Sequence, residues 1–380
     1  MPPAEKPVPE QPPVAPAAPA VMATPPAPVP PAPASATPTP KLTWGGLVDT
    51  YYLFNFIRAS GADTLTPPVG RAFDTNANSM TLALAKISLN AALDPVAFQL
   101  DLGYGSVGTI INAANGGSLS AGNVGGSFLI EQAFGTISLP GNLTLDFGKF
   151  VTTAGAEVIE ANKNWLYSRS FLFNAIPLVH TGVRANLKVN DQLTLQASLV
   201  NGWNNDPDNN AWKTIGVSAS FTASPMVTAI LTGYFGKEGP QAMGTTSGDL
   251  TVLIDAVGAF TINDKFGLNL NIDYIKAPPS SPVSGDYQIG ASLMGRYILT
   301  EHAYLAARAE FLSSHSDAAS HTTTVEEGTV MLGVPVGKNF ELRPEVRADF
   351  SNDDVYAPVG MTGGTKKNQF TGEIAALTFF

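Results

Sequence analysis

The chain has 380 residues, no cysteine, 36 glycines and 30 prolines, with 14% charged against 44% hydrophobic residues. Without cysteine there is no disulfide scaffold, thiolate zinc site or iron–sulfur chemistry, and a formal net charge of −10 with a pI near 4.8 argues against a nucleic-acid partner. A mean hydropathy of +0.09 suits a chain that turns alternate residues toward lipid.

Residues 1–40 hold 16 of the 30 prolines, mixed with Ala, Val, Thr and Ser. Such a composition fixes φ, removes backbone donors and buries too little apolar area to offset ordering. It predicts a disordered polyproline II linker on the periplasmic side, reaching on the order of 100 Å if extended. Met1, Pro2, Pro3 and Glu5 offer neither the basic nor the apolar region of a signal peptide, so either the chain is cytoplasmic or a signal has been removed, and the rest of the sequence decides between these.

From residue 41 the period becomes two. Val96, Phe98, Leu100 and Leu102 alternate with Gln99 and Asp101, and Val179, Val183, Leu187 and Val189 alternate with His180, Arg184, Asn186 and Lys188. Further along, Leu193, Leu195, Ala197 and Leu199 alternate with Gln192, Thr194, Gln196 and Ser198. Phe266 to Tyr274 follows the same rule, and so does 340–350, where Phe340, Leu342, Val346 and Phe350 oppose Glu341, Arg343, Glu345, Arg347 and Asp349. The richest apolar stretch, Phe171 to Val183, is broken by Asn174, Pro177 and His180, too short for a transmembrane helix.

Turn chemistry at Asp94-Pro95, Pro140 to Asn142, Asn190-Asp191, Ser224-Pro225, Asn263-Asp264, Thr300-Glu301 and Pro335 to Lys338 marks seven short connections. Long polar or glycine-rich connections lie near 58–78, 107–126, 152–178, 203–211, 237–248, 278–284, 315–322 and 352–365. Fifteen alternating connections predict 16 antiparallel strands with both chain ends at the short-turn side, the arrangement of an outer-membrane β-barrel over 41–380. Strands near 79–92 and 249–262 alternate poorly, as bulges would make them. A soluble β-sandwich would share the alternation. Against it stand the terminal strand Ile374 to Phe380, ending in two phenylalanines, and aromatic residues at strand ends: Trp44, Tyr51, Tyr52, Phe54, Phe56, Trp203 and Trp212.

The run Gly148 to Ile159, then Asn162 to Asn164, Tyr167 to Ser170, Pro177 and His180 to Val183 resembles the central signature of the OmpL-like β-barrel porins. Gly46 to Tyr52, Asn201 to Asn204 with Asn209-Asn210, Tyr234 to Glu238, Arg308 to Glu310 and Arg343 to Arg347 extend the resemblance to essentially all of the barrel. The chain departs from the family pattern at Ala156, where tyrosine is usual, and in the proline-rich arm. The resemblance implies an outer-membrane porin and names no solute.

Catalysis finds little footing. Ser168, His180 and Glu157 or Glu160 supply the residue types of a nucleophile, base and orienter, but no motif brings them together. His302, His315 and His321 lack the pairing of metal ligands, and no cofactor box is present. The charge ladders are more telling, because a lipid-facing charge near the bilayer midplane costs roughly 2–4 kcal/mol. His180, Arg184, Lys188, Arg308, Glu310, Arg343, Glu345 and Arg347 are therefore expected to face inward and line a wet pore, with a self-paired ladder as the alternative for each. The third long loop, 152–178, mixes Trp165, Leu166, Phe171, Leu172, Phe173 and Ile176 with Glu157, Glu160, Lys163 and Arg169, which predicts an inward fold with those four charges at the constriction.

The expected function is passive diffusion of small hydrophilic solutes or ions. The competing class is an outer-membrane anchor whose proline-rich arm tethers the cell wall or a periplasmic partner. Membrane lipid and lipopolysaccharide are the expected surroundings, and a homotrimer packed near the seam of first and last strands follows by analogy.

Overall fold

The computed structural model describes residues 41–57, 70–114, 127–238, 250–276, 286–317, 319–356 and 366–380. The expectations for residues 1–40 lie outside them, as do the sixth long loop, parts of the first, second, fifth and eighth, and residue 318 of the seventh. One compact unit spans Thr39–Phe380.

Sixteen antiparallel strands close into a barrel in which every strand pairs with its sequence neighbours and β1 (Lys41–Asn55) pairs with β16 (Asn368–Phe379). Going round, they are β2 (Met80–Leu93), β3 (Val96–Tyr104), β4 (Phe128–Leu139), β5 (Leu143–Val151), β6 (Val179–Lys188), β7 (Leu193–Val200), β8 (Thr214–Ser224) and β9 (Val227–Lys237). Then come β10 (Leu250–Asn263), β11 (Phe266–Lys276), β12 (Tyr287–Thr300), β13 (Ala303–Ser316), β14 (His321–Val336) and β15 (Phe340–Ser351). Closure removes the free sheet edges, so the strands of the wall pair with one another instead of with water.

The seven short turns fall where the sequence places them. At Pro140 to Asn142 the chain reverses with Gly141 at φ 84° and Asn142 at φ 59°, the left-handed values that glycine and asparagine tolerate best. Elsewhere an asparagine side chain stands in for the backbone: Asn190 Oδ1 accepts from Gln192 N and Leu193 N, and Asn263 Oδ1 accepts from Lys265 N and Phe266 N. At the seam, Gly46 and Phe380 exchange backbone hydrogen bonds at 3.2 and 3.1 Å. A Cβ on Gly45 would come within 2.9 Å of the Phe380 carbonyl oxygen, so the terminal phenylalanine docks where the chain has no side chain. The irregular alternation near 79–92 is a bulge, with register shifting where Asp49 and Thr50 pair across to Leu84 and Leu82.

The two faces follow the alternation. Val183, Leu187, Val346 and Phe350 are exposed on the outer wall, while Glu341, Arg343, Glu345, Arg347 and Asp349 are buried inside. Two aromatic assignments need correction. Tyr51, at 2% exposure, points inward with Leu53 rather than joining an outer girdle, and Trp203 is buried against Tyr234 and Phe171. Trp44, Phe56 and Trp212 do lie exposed. The second long loop begins as helix α1 (Ser106–Ala114), whose Val107 and Ile111 pack into the interior core.

Candidate functional site

The inside of the barrel is shaped by the third loop. After β5 the chain makes a 3-10 turn at Ala161–Lys163 and a short helix, α2 (Phe171–Ala175), capped by Ser170, whose hydroxyl accepts from Phe173 N. Its apolar residues, Leu166, Phe171, Leu172, Phe173 and Ile176, are all buried. They pack inward onto residues of the wall such as Leu253, Ile275, Leu312 and Met331.

Polar groups then fasten the loop to the wall. Thr153 meets the Tyr234 hydroxyl of β9 at 3.2 Å, and Asn271 Oδ1 of β11 accepts from Ala156 N at 3.0 Å. Glu345 of β15 accepts from Tyr167 N at 2.9 Å and Ser168 N at 3.2 Å, and Asp49 of β1 accepts from the Tyr167 hydroxyl at 2.8 Å. Glu310 of β13 accepts from Phe171 N. Three arginines complete the attachment. Arg308 reaches Glu157 and the Ser168 carbonyl, both at 2.8 Å, and pairs with Glu327. Arg343 Nη1 donates to the Ala161 and Asn164 carbonyls at 2.7 and 3.1 Å, and Arg347 donates to the Arg169 carbonyl at 2.7 Å.

These contacts alter the reading of the charge ladders. Arg308, Glu310, Arg343, Glu345 and Arg347 face inward as alternation requires, yet all five are buried under the third loop and do not line water. The physical reason is that a loop rich in orphan backbone groups needs donors and acceptors, and the ladder supplies them. His180 is likewise buried, with Nδ1 2.9 Å from the Gly202 carbonyl and its ring stacked 4.6 Å from Tyr234. Arg184 and Lys188 remain half-buried. Arg184 pairs with Asp146 at 2.9 Å and lies 4.3 Å over the Phe150 ring, and Lys188 pairs with Asp191 at the short turn between β6 and β7.

The four loop charges divide in the same way. Glu157 accepts from Arg308 and Ser170 N, and Arg169 is held by the carbonyls of Val158, Ile159 and Tyr167. Glu160 sits between two ammonium groups, Lys86 at 2.6 Å and Lys163 at 2.7 Å. Burial acts to raise the Glu160 carboxyl, but the two lysines outweigh it and bring its pKa down to about 2. Only Lys163 extends into open space, with 60% of its side chain exposed. A cavity of about 230 Å³ lies between the loop and the wall, with Gln132, Thr152, Thr153, Glu157, Glu160 and Lys163 among its lining.

Several residues that sequence reasoning passed over belong to this arrangement. Lys86 of β2 lies 3.2 Å from Asp101, 2.6 Å from Glu131 and 2.6 Å from Glu160, so it ties three strands and the third loop together. The three carboxylates are close enough to hold a cation, and the Lys86 ammonium takes that position. A lone charge in the apolar stretch Leu82–Leu89 was the available signal. The end of the first loop also turns inward. Phe73 stacks edge-on with Phe173 at 5.6 Å, Arg71 donates to Thr371 Oγ1 at 2.6 Å, and Asn174 reaches the Gly70 carbonyl at 2.9 Å.

The filling is one-sided. The loops crowd β1, β2 and β9–β16, whereas inward residues on β3–β8 such as Gln99, Thr144, Asn186, Gln196 and Ser218 are only half-buried. A family model described as putative beta-barrel porin-2, OmpL-like, matches residues 41–380. No curated protein sequence matches the chain. Among solved structures, the outer membrane channel DcaP of Acinetobacter baumannii superposes with TM-score 0.61 at 14% identity, over 90% of this chain and 97% of its own. The anion-selective porin of Comamonas acidovorans gives 0.61 at 11% identity, over 90% and 100%. A trimer form of OmpT, an outer membrane protein of Vibrio cholerae, gives 0.57 at 13%, again over 90% and 100%.

Proposed function

The chain belongs to the OmpL-like β-barrel porins, and we propose that it is a passive diffusion channel of the bacterial outer membrane, narrowed by its third loop. What carries this reading is the fastening of that loop across the interior to β1, β9, β11, β13 and β15 while inward amides and hydroxyls of β3–β8, Gln99, Thr144, Asn186, Gln196 and Ser218, keep some exposure. About 16 strands enclose a lumen that side chains alone do not fill, and a loop packed against one wall leaves the rest for water.

In this reading the narrow path runs between Lys163 and the wall bearing Gln132, Asn186, Arg184 and Gln196. Glu157, Glu160 and Arg169 hold the loop's shape, and Arg308, Glu310, Arg343, Glu345 and Arg347 hold the loop in place. Small hydrophilic solutes and ions pass by diffusion, with no bond made or broken. The outer wall meets membrane lipid, the long-loop rim meets lipopolysaccharide, and copies associate as a trimer. Proteoliposomes carrying the purified barrel are expected to swell in isotonic solutions of small sugars and amino acids, faster for smaller solutes. Liposomes that swell no faster than protein-free ones would refute the channel.

A further inference from the structure

We propose that Arg296 on β12, backed by Tyr304 and faced by Trp165 of the third loop, is a binding site for small organic carboxylates with a flat apolar body. It rests on the channel reading in treating the bound molecule as a passing solute, and the binding itself can be measured without a membrane.

Arg296 stands apart from the other described arginines. Arg71, Arg184, Arg308, Arg343 and Arg347 each meet a carboxylate, and Arg169 is held by the carbonyls of Val158, Ile159 and Tyr167. Arg296 meets neither a carboxylate nor a carbonyl among the described residues. Its guanidinium carbon instead lies 4.2 Å from the centroid of the Tyr304 ring. A guanidinium keeps its charge in any folded protein, so this inward cation has no counter-charge of its own. The carboxylate beyond Tyr304 is already committed, since Glu341 accepts from the Tyr304 hydroxyl and pairs with Arg343 at 3.1 Å.

The surroundings leave one end of the guanidinium open. Across the strands Arg296 is flanked by Gly267 and Ala306, and the next inward residues along β12 are Met294 and Ile298. None of the four can bond to it. The Tyr304 ring lies close against the wall at Gly333, where an added Cβ would come within 2.1 Å of it, and gives the guanidinium a surface to rest on. Of the guanidinium nitrogens only Nε is closed off without a partner. Nη1 and Nη2 remain open to the barrel interior, and such a planar pair of donors matches the two oxygens of a carboxylate.

Trp165 supplies the other half. A Cβ added to Gly267 would lie 3.1 Å from Cη2 of its ring, so the indole edge sits on β11 directly across from Arg296. The ring packs at the margin of the cluster containing Met294, Tyr304 and Ala306, yet it is only half-buried. Indole surface is therefore open beside the guanidinium. The charge count sets the class of ligand. The next inward cation on β13, Arg308, is sealed and shared between Glu157 and Glu327, so a dianion such as phosphate would find one positive charge where it needs two. A neutral sugar would leave that charge unmatched. A monocarboxylate with a ring-shaped body puts its oxygens on the fork and its body on the indole. The site lies toward the Thr300 end of β12, on the short-turn side of the third loop.

The test is calorimetric titration of the detergent-folded barrel with benzoate, acetate, inorganic phosphate and glucose. Benzoate should bind about fivefold tighter than acetate or phosphate, and Trp165→Ala should remove that advantage. Arg296→Gln should weaken benzoate by about tenfold or more, and Arg296→Lys, which keeps the charge and loses the fork, by about threefold. Lys338→Gln takes the same charge from the exposed turn after β14 and should leave the affinity within about twofold. No heat with benzoate, acetate or phosphate equal to benzoate, or Arg296→Gln binding within about twofold of the wild type would each overturn the proposal. Swelling of proteoliposomes in sugar separates the two readings. A barrel that binds benzoate and gives no swelling counts against the channel, whereas one that swells and binds no benzoate counts against this site alone.

Discussion

The two halves of the barrel use the same alternation for different ends. On the β12–β16 side the inward charges other than Arg296 are sealed beneath the third loop, where Arg308, Arg343 and Arg347 spend their donors on loop carbonyls and neighbouring carboxylates. On the β3–β8 side the inward amides and hydroxyls Gln99, Thr144, Asn186, Gln196 and Ser218 stay half-buried, although Asp101, Glu131, Asp146 and His180 on the same strands are buried. A row of charges on an inward face therefore marks where a loop is attached. In the proposed channel, a row of neutral polar groups marks where water runs.

The comparison breaks most sharply at Arg308. Removing it leaves Glu157 and Glu327 buried without their guanidinium, and loss of one partner from a buried pair costs ~3–5 kcal/mol. Arg308→Ala should lower the urea midpoint of the folded barrel by that amount, read from the heat-modifiable shift in gel mobility or from tryptophan fluorescence. A loss under ~1 kcal/mol would mean the sealed half is wetter than described.

Arg184→Ala on the open side should cost less, ~1–2 kcal/mol by the same assay, because Asp146 keeps hydrogen bonds from Thr136 at 2.7 Å and Asn186 at 3.0 Å. Equal losses for the two arginines would erase the distinction between the halves.

Acid provides a graded probe. Glu160 has its pKa lowered in the folded chain to about 2 from an ordinary 4.5. A lowered folded pKa contributes stability that is present above the ordinary value and is lost as pH falls through the folded one. The contribution of Glu160 should accordingly decline between about pH 4.5 and pH 2, and Glu160→Gln should flatten that part of the stability curve. A variant with an unchanged acid limb would separate Glu160 from Lys86 and Lys163.

Lys163→Ala is expected to have the smallest effect on stability, within ~0.5 kcal/mol, since most of the side chain is exposed and its single pair is with a carboxylate that Lys86 also serves. Its signature lies elsewhere, in a shift of reversal potential toward cations under a salt gradient.

Strand number, turn positions and inward faces could all be read from the sequence, because the period of two and the turn residues are local properties. Glu345 facing inward is visible in the alternation of 340–350. Its acceptance of Tyr167 N, 178 residues away, is not. The same limit hid Lys86, whose partners lie on β3, β4 and the third loop, and Tyr51, whose aromatic ring suits a girdle as well as it suits the interior core. The inward turn of residues 70–78 was equally out of reach, since Arg71 and Phe73 find their partners in Thr371 and Phe173. Long-range pairing decides which inward charges meet water, and periodicity carries no information about it.

The most direct test of the account is single-channel recording of the wild-type barrel beside Glu345→Gln in planar bilayers. Glu345 anchors Tyr167 and Ser168, and its replacement weakens the loop's hold on β15 without adding charge to the lumen. The account predicts discrete open steps for the wild type and larger, noisier steps for Glu345→Gln, as the loop leaves the wall intermittently. A silent wild type, or a variant that inserts and conducts identically, would contradict a channel narrowed by its third loop.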